Sequence, residues 1–198
     1  MRVIAQKEDI MKKKGIIVIA VIVAVVMLLG ISLISVNNNL VSLETKVDAA
    51  LANIDTNLQR RADLIPNLVN TVKGYAAHEQ EALDSVTAAR AQLAGATTVG
   101  EKAEADSALT TALNNLLVIV ENYPDLKAST NFIQLADELA GTENRIATAR
   151  RDYNTAVQEY NAAIRKFPAN LVAMIFGFEQ KPYFEADAAA ATAPKVEF

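Results

Sequence analysis

The sequence predicts an all-α protein: an N-terminal single transmembrane helix followed by an antiparallel bundle of three to four helices with a long helical hairpin. Three observations predict it. Residues 15–34 form an apolar run without a single charge. Beyond it, apolar residues recur in steps of three and four, and no stretch alternates as a half-buried strand would. The composition is alanine-rich, holds no tryptophan and is only 6% aromatic, which favours helix over sheet.

The first element is "GIIVIAVIVAVVMLLGISLI", Gly15 to Ile34. About 20 helical residues at about 1.5 Å each match a hydrocarbon core about 30 Å thick. The rival is a cleaved signal peptide, whose apolar core is shorter, about 7–15 residues, and ends at a small-x-small site. The length favours an anchor. Arg2, Lys7, Lys12, Lys13 and Lys14 precede the run, and only Lys46 follows closely. Positive flanks stay cytoplasmic. This predicts an inner-membrane protein with a cytoplasmic N-terminus and a periplasmic or extracellular helical domain; a domain on the cytoplasmic side is the alternative. Lys12, Lys13 and Lys14 have two roles open to them, fixing topology or contacting anionic lipid. The expected divisions are a basic N-terminus over residues 1–14, the span at 15–34, a bundle at 35–184 and a flexible tail at 185–198.

Three stripes follow. Leu40, Leu43, Val47, Leu51, Ile54, Leu58, Ile65, Leu68, Val72 and Tyr75 lie on one helical face, interrupted by Arg61, with a period that suits antiparallel packing or a coiled coil. "NNN" at 37–39 could cap this helix, although so short a separation also allows the span and the helix to run on. Gly95 and Gly100 bracket a loop, "GATTVG". A second helix is expected over 101–122, with Ala105, Leu109, Leu113, Leu116 and Val120 inward, ended by "NYPD". A third is expected from Asp125 to Lys166, with Ile133, Ala136, Ala140, Glu143, Ala147, Arg150, Tyr153, Val157, Tyr160, Ile164 and Phe167 on its stripe. Pro168 stops it. The apolar "PANLVAMIFGFEQKPYF" then either folds over a helix end or touches the membrane surface.

Within the first stripe, "RRADLIP" sets charge and proline inside a helical pattern. With Asp63 as an N-cap, Pro66 would fall in the first turn of a new segment, where its missing N–H is harmless. The string therefore predicts a helix junction or sharp kink at Asp63 and Pro66. Arg61, Glu143 and Arg150 remain charged on apolar stripes, and buried charges need partners. In an antiparallel arrangement Arg61 can meet Glu143 and Asp63 can meet Arg150, fixing register between long helices. The alternative is that their charged tips reach solvent.

Little here supports chemistry. There is no cysteine, so thiol reactions and disulfides are excluded. The net charge of −4 gives no footprint for nucleic acid. The one histidine, His78, has alanine rather than a second histidine four residues on, so a helical zinc pair is not formed. The seven glycines are scattered and build no phosphate loop. No catalytic residue, cofactor or metal is expected.

Three motifs, in order, resemble the LemA family of bacterial membrane-anchored helical proteins. They are "NIDTNLQRRADLIPNLVNTVKGYAAHE" (53–79), "ENYPDLKASTNFIQLADELAGTENRIATARRDYNTAVQEYN" (121–161) and "FPANLVAMIFGFEQKPYF" (167–184). The anchor followed at once by "NNNLVSLETKVDAALANID" is similar too, while the basic stretch before it is longer than the family pattern. The resemblance implies an anchored antiparallel bundle without established catalysis. It also implies links to membrane organisation, magnetosome membranes included, and to a membrane metalloprotease. The expected function is self-association that organises or remodels membrane or membrane-protein complexes, with the bilayer and further copies of the chain as partners. The alternative is an adaptor or regulator of a membrane metalloprotease or another envelope quality-control or transport system.

Overall fold

A computed structural model describes residues 2–185, with side chains from Ile22 onward except Leu29. The expected tail beyond Glu185 and the side chains of Lys12, Lys13 and Lys14 lie outside the described residues. Among the described residues the structure is all helix and turn, with no strand. Six helices follow one another: α1 Arg2–Lys73, α2 Gln80–Gly95, α3 Val99–Val120, α4 Pro124–Lys127, α5 Thr130–Arg165 and α6 Ala169–Phe176.

The chain divides into two compact units, Met1–Glu44 with Tyr160–Gln180, and Thr45–Glu159 with Lys181–Phe198. The second holds most of the core. In it α1 and α5 run antiparallel: residues 53–57 of α1 share a shallow groove with 144–149 of α5, and 67–71 share one with 131–145. Helix α2 returns along α1, and α3 reverses again after a turn of three residues, 96–98. Ile54, Leu58, Ile65, Leu68 and Val72 from α1 are buried with Leu83 and Val86 from α2, Leu109 and Leu116 from α3, and Ile146, Tyr153 and Val157 from α5. These are the i, i+3, i+4 faces of amphipathic helices, and hiding them from water is the main force holding the unit together. In the first unit Leu40, Tyr160, Ile164, Val172 and Ala173 are buried.

Four sequence expectations need correction. The helix does not stop at Asp63 or Pro66: α1 passes through both, and it also runs through Asn37–Asn39 without a cap. The pattern after Lys73 contains a further helix, α2, whose inward residues are Leu83, Val86, Ala89 and Leu93. The helix expected from Asp125 is two, because Pro124 opens the single turn α4 and the chain turns again at Ala128 and Ser129 before α5. Finally, the buried stripe in the N-terminal part of α5 runs one position earlier than expected, because the expected steps from Ile133 to Tyr153 average only about 3.3 residues where a helix turns about every 3.6. Phe132, Ile146 and Ala149 are buried while Ile133, Ala140 and Ala147 are exposed, as are Phe167 after α5 and Tyr75 beyond the end of α1.

Helix α3 begins with a capping box. The Thr98 hydroxyl accepts from the Glu101 N–H, and the Glu101 carboxylate accepts from the N–H groups of Thr97 and Thr98 and from the Thr97 hydroxyl. The Thr98 and Thr97 N–H groups hold the carboxylate in its charged form and pull its pKa from 4.5 down to about 2. A carboxyl whose pKa is lower folded than unfolded stabilises the fold above pH 4.5 and loses that contribution as pH falls towards about 2. The first turn of α3 is therefore expected to fray across that window. Hydrogen exchange at Thr97, Thr98 and Glu101, corrected for intrinsic rate, should show it in the parent chain. The extra protection should already be missing at neutral pH in Glu101→Ala, which has no side-chain acceptor.

Candidate functional site

The most unusual feature of the second unit is a set of charges inside its core. Arg61 on α1 has a side chain only 4% exposed, and Asp106 on α3 is fully buried. Arg61 Nη1 donates to Asp106 Oδ1 at 2.5 Å and lies 2.7 Å from Glu143 Oε2 on α5, an ion pair by distance without a directed hydrogen bond. Arg150, also on α5, donates to Asp106 Oδ2. Its guanidinium stands 4.8 Å from the centre of the Phe184 ring. Two cations and two carboxylates thus cancel, and one carboxylate ties three helices. Such a cluster adds little net stability over an apolar core, but it penalises any shift of α1, α3 or α5 along one another.

The structure brings Arg61 and Glu143 together and keeps Asp63 and Arg150 apart. Each helical residue turns about 100°, so Asp63 faces nearly opposite to Arg61. It lies exposed and accepts from Gln59 Nε2 at 2.8 Å. The partner of Arg150 is Asp106, which is not among the residues expected on the stripe of α3. The signal was present: Leu109 and Leu113 stand three and seven residues after Asp106, on its own face of the helix.

Pro66 is also accounted for by a long-range contact. Inside a helix, proline leaves the carbonyl four residues earlier without its N–H partner. That carbonyl belongs to Ala62, which is buried. Arg90 on α2 fills the gap: its Nε donates to the Ala62 oxygen at 2.8 Å. The proline is tolerated because a neighbouring helix supplies the missing donor, and no junction is required.

A strap closes the unit. Tyr153 is buried on α5, and its hydroxyl donates to the Pro182 carbonyl at 2.9 Å. The Asn154 amide donates to the Phe184 carbonyl at 3.0 Å and accepts from the Phe184 N–H at 2.8 Å. Phe184 is buried. Residues 182–184 are therefore pinned along the middle of α5.

In the first unit α1 presents apolar side chains outward between Ile22 and Ile34. Val26, Met27, Leu28, Ile31 and Ile34 are each 62–67% exposed. This helix is long and apolar enough to cross a membrane, and its apolar stretch is not buried by the rest of the chain. Among the described residues no three His, Asp or Glu side chains converge as metal ligands. His78 is exposed in the turn between α1 and α2.

A family model described as the LemA family matches residues 50–198. The chain is 28% identical over 181 residues to magnetosome protein MamQ 2 of Paramagnetospirillum magneticum, covering 78% of this chain and 66% of that protein. It is 26% identical over 181 residues to magnetosome protein MamQ of Magnetospirillum gryphiswaldense, with the same 78% and 66% coverage. With protein LemA of Metamycoplasma hominis it shares 27% identity over 154 residues, 75% of this chain and 68% of that one. The chain thus spans just under two thirds of the length of the MamQ proteins it matches. An all-helical chain with a long apolar helix near its N-terminus agrees with a family match over residues 50–198, most of its length: this chain belongs to the LemA family.

Proposed function

We propose that this chain is a membrane-anchored, non-catalytic helical protein that self-associates at the bilayer and organises or remodels membrane or membrane-protein complexes. The observation that carries this reading is the exposed apolar stretch of α1, continuous with a helix whose other end enters a closed core. The buried charges of that core are matched to one another, a register device rather than a place for a reacting group. Similarity to proteins named for the magnetosome supports a place in membrane organisation. The basic residues before the span favour a cytoplasmic N-terminus, with Lys12, Lys13 and Lys14 as its topology determinants and the bundle on the periplasmic or extracellular side.

Self-association draws support from a groove between α2 and α3. Small residues such as Ala88, Ala103 and Ala108 line it beside the longer Gln92, Glu104 and Tyr183. Small side chains let a helix from another copy approach closely. The test is the size of the full-length chain extracted in mild detergent. A large uniform particle is expected. A monomer would contradict self-association, and one that co-purifies with a membrane metalloprotease would favour an adaptor.

A further inference from the structure

Helix α6 is buried on one side only. Val172 and Ala173 face inward, whereas Leu171, Met174, Ile175 and Phe176 are 45–76% exposed and Phe167, just ahead of the helix, is 80% exposed. No residue of α6 is charged, and Gly177 closes it in the left-handed conformation at φ 76°. Large apolar side chains gathered at one exposed place mark a surface that another phase or molecule covers.

Two observations say which. Helix α6 belongs to the same compact unit as the N-terminal part of α1, residues 1–44. In that unit the first buried side chain after the apolar stretch is Leu40, six residues past Ile34, or about 9 Å along the helix. The unit's buried residues therefore begin within reach of the headgroup layer where α1 leaves the hydrocarbon. Immediately before Phe167 stand Arg165 and Lys166, both exposed, giving a cationic edge beside an aromatic and aliphatic face. That order of charge and grease is what a bilayer interface selects.

We propose that α6 is a second, monotopic membrane contact, in which Phe167, Leu171, Met174, Ile175 and Phe176 enter the headgroup–acyl boundary while Arg165 and Lys166 meet lipid phosphates. The leaflet is the one from which α1 emerges, so the proposal rests on the anchor reading of that helix. Two attachment points, one spanning and one lying flat, would stop the first unit from pivoting freely about α1.

The chain has no cysteine, so a single introduced thiol can be labelled uniquely. An environment-sensitive fluorophore is placed on full-length Met174→Cys, on Leu28→Cys in the span and on exposed Ala77→Cys. Each protein is reconstituted in phosphatidylcholine–phosphatidylglycerol vesicles carrying bromines near the headgroup or near the acyl end. Shallow bromines are expected to quench the Met174→Cys label roughly two-fold or more, as a contact about 5–10 Å deep requires. Deep bromines should quench Leu28→Cys, and neither should quench Ala77→Cys. An unquenched Met174→Cys label beside a quenched Leu28→Cys label overturns the α6 contact and leaves the anchor standing; a blue-shifted but unquenched label would assign the face to another copy or a protein partner. Quenching at Met174→Cys without quenching at Leu28→Cys would do the reverse. In phosphatidylglycerol vesicles Arg165→Ala with Lys166→Ala should weaken quenching at Met174→Cys, and unchanged quenching overturns the assignment of that pair to headgroups.

Discussion

Asp106→Ala is expected to destabilise the fold by about 3–5 kcal/mol, the range for removing one partner of a buried ion pair. The loss is large because Asp106 is fully buried and serves two guanidinium groups, those of Arg61 and Arg150. After the substitution Arg61 keeps only Glu143, and Arg150 keeps only the Phe184 face and what water reaches it. Arg60→Ala sets the comparison. Its ion pair with Glu138, at 2.9 Å, has both side chains about half exposed, and such pairs contribute about 0–1 kcal/mol. Glu143→Ala should fall between, since the Glu143 side chain is 40% exposed. Replacing all four members, Arg61, Asp106, Glu143 and Arg150, by well-packed apolar residues should recover most of the loss, because no charge is then left without its partner. Urea unfolding in detergent, with unchanged slope and shifted midpoint, measures each. Equal midpoints for Asp106→Ala and Arg60→Ala would refute the role given to the cluster.

The second large effect concerns Pro66. Arg90→Ala should destabilise by about 1–3 kcal/mol, the penalty for leaving a buried acceptor unpaired, here the Ala62 carbonyl. Pro66→Ala should stabilise by up to about 3 kcal/mol, since it restores an N–H and removes a poor helix former. The diagnostic quantity is the coupling between the two. In the Pro66→Ala background the Ala62 carbonyl has a donor in its own helix, so Arg90→Ala should then matter by only a few tenths of a kcal/mol. A double-mutant cycle on thermal or urea unfolding reads this directly. Additive effects would mean that Arg90 acts through some other contact.

These two sites also show where sequence periodicity stops being informative. The apolar faces of α1 and α3 were legible because helical spacing alone places Leu58, Ile65, Leu109 and Leu116 inward. The long apolar helix was legible because twenty uncharged residues in a row favour helix of that length. Arg61 and Arg150 stood out as charges on apolar stripes. Their shared partner did not, because only the apolar residues of α3 were followed and Asp106 looked like one more surface carboxylate. Pro66 misled for a related reason. Local rules treat a proline as a helix boundary, and the donor that keeps this helix intact lies 28 residues away, on α2. Helix α2 has few large side chains: Leu83, Val86 and Leu93 are spaced correctly, but alanine fills much of the remainder and blurs the contrast between faces. The one-position offset at Phe132 arises because the expected steps from Ile133 to Tyr153 are shorter than the helical repeat of about 3.6 residues, and alanines at 136, 140, 147 and 149 blur the contrast between neighbouring faces.

If α1 is an integral anchor, the full-length chain must resist extraction that strips peripheral proteins. Membranes from cells producing the full-length chain, washed in alkaline carbonate, should retain it in the pellet, and a version in which Val23, Val26 and Met27 are replaced by arginine should appear in the supernatant. Release of the unaltered chain into the supernatant would contradict the central claim, whatever the bundle does in isolation.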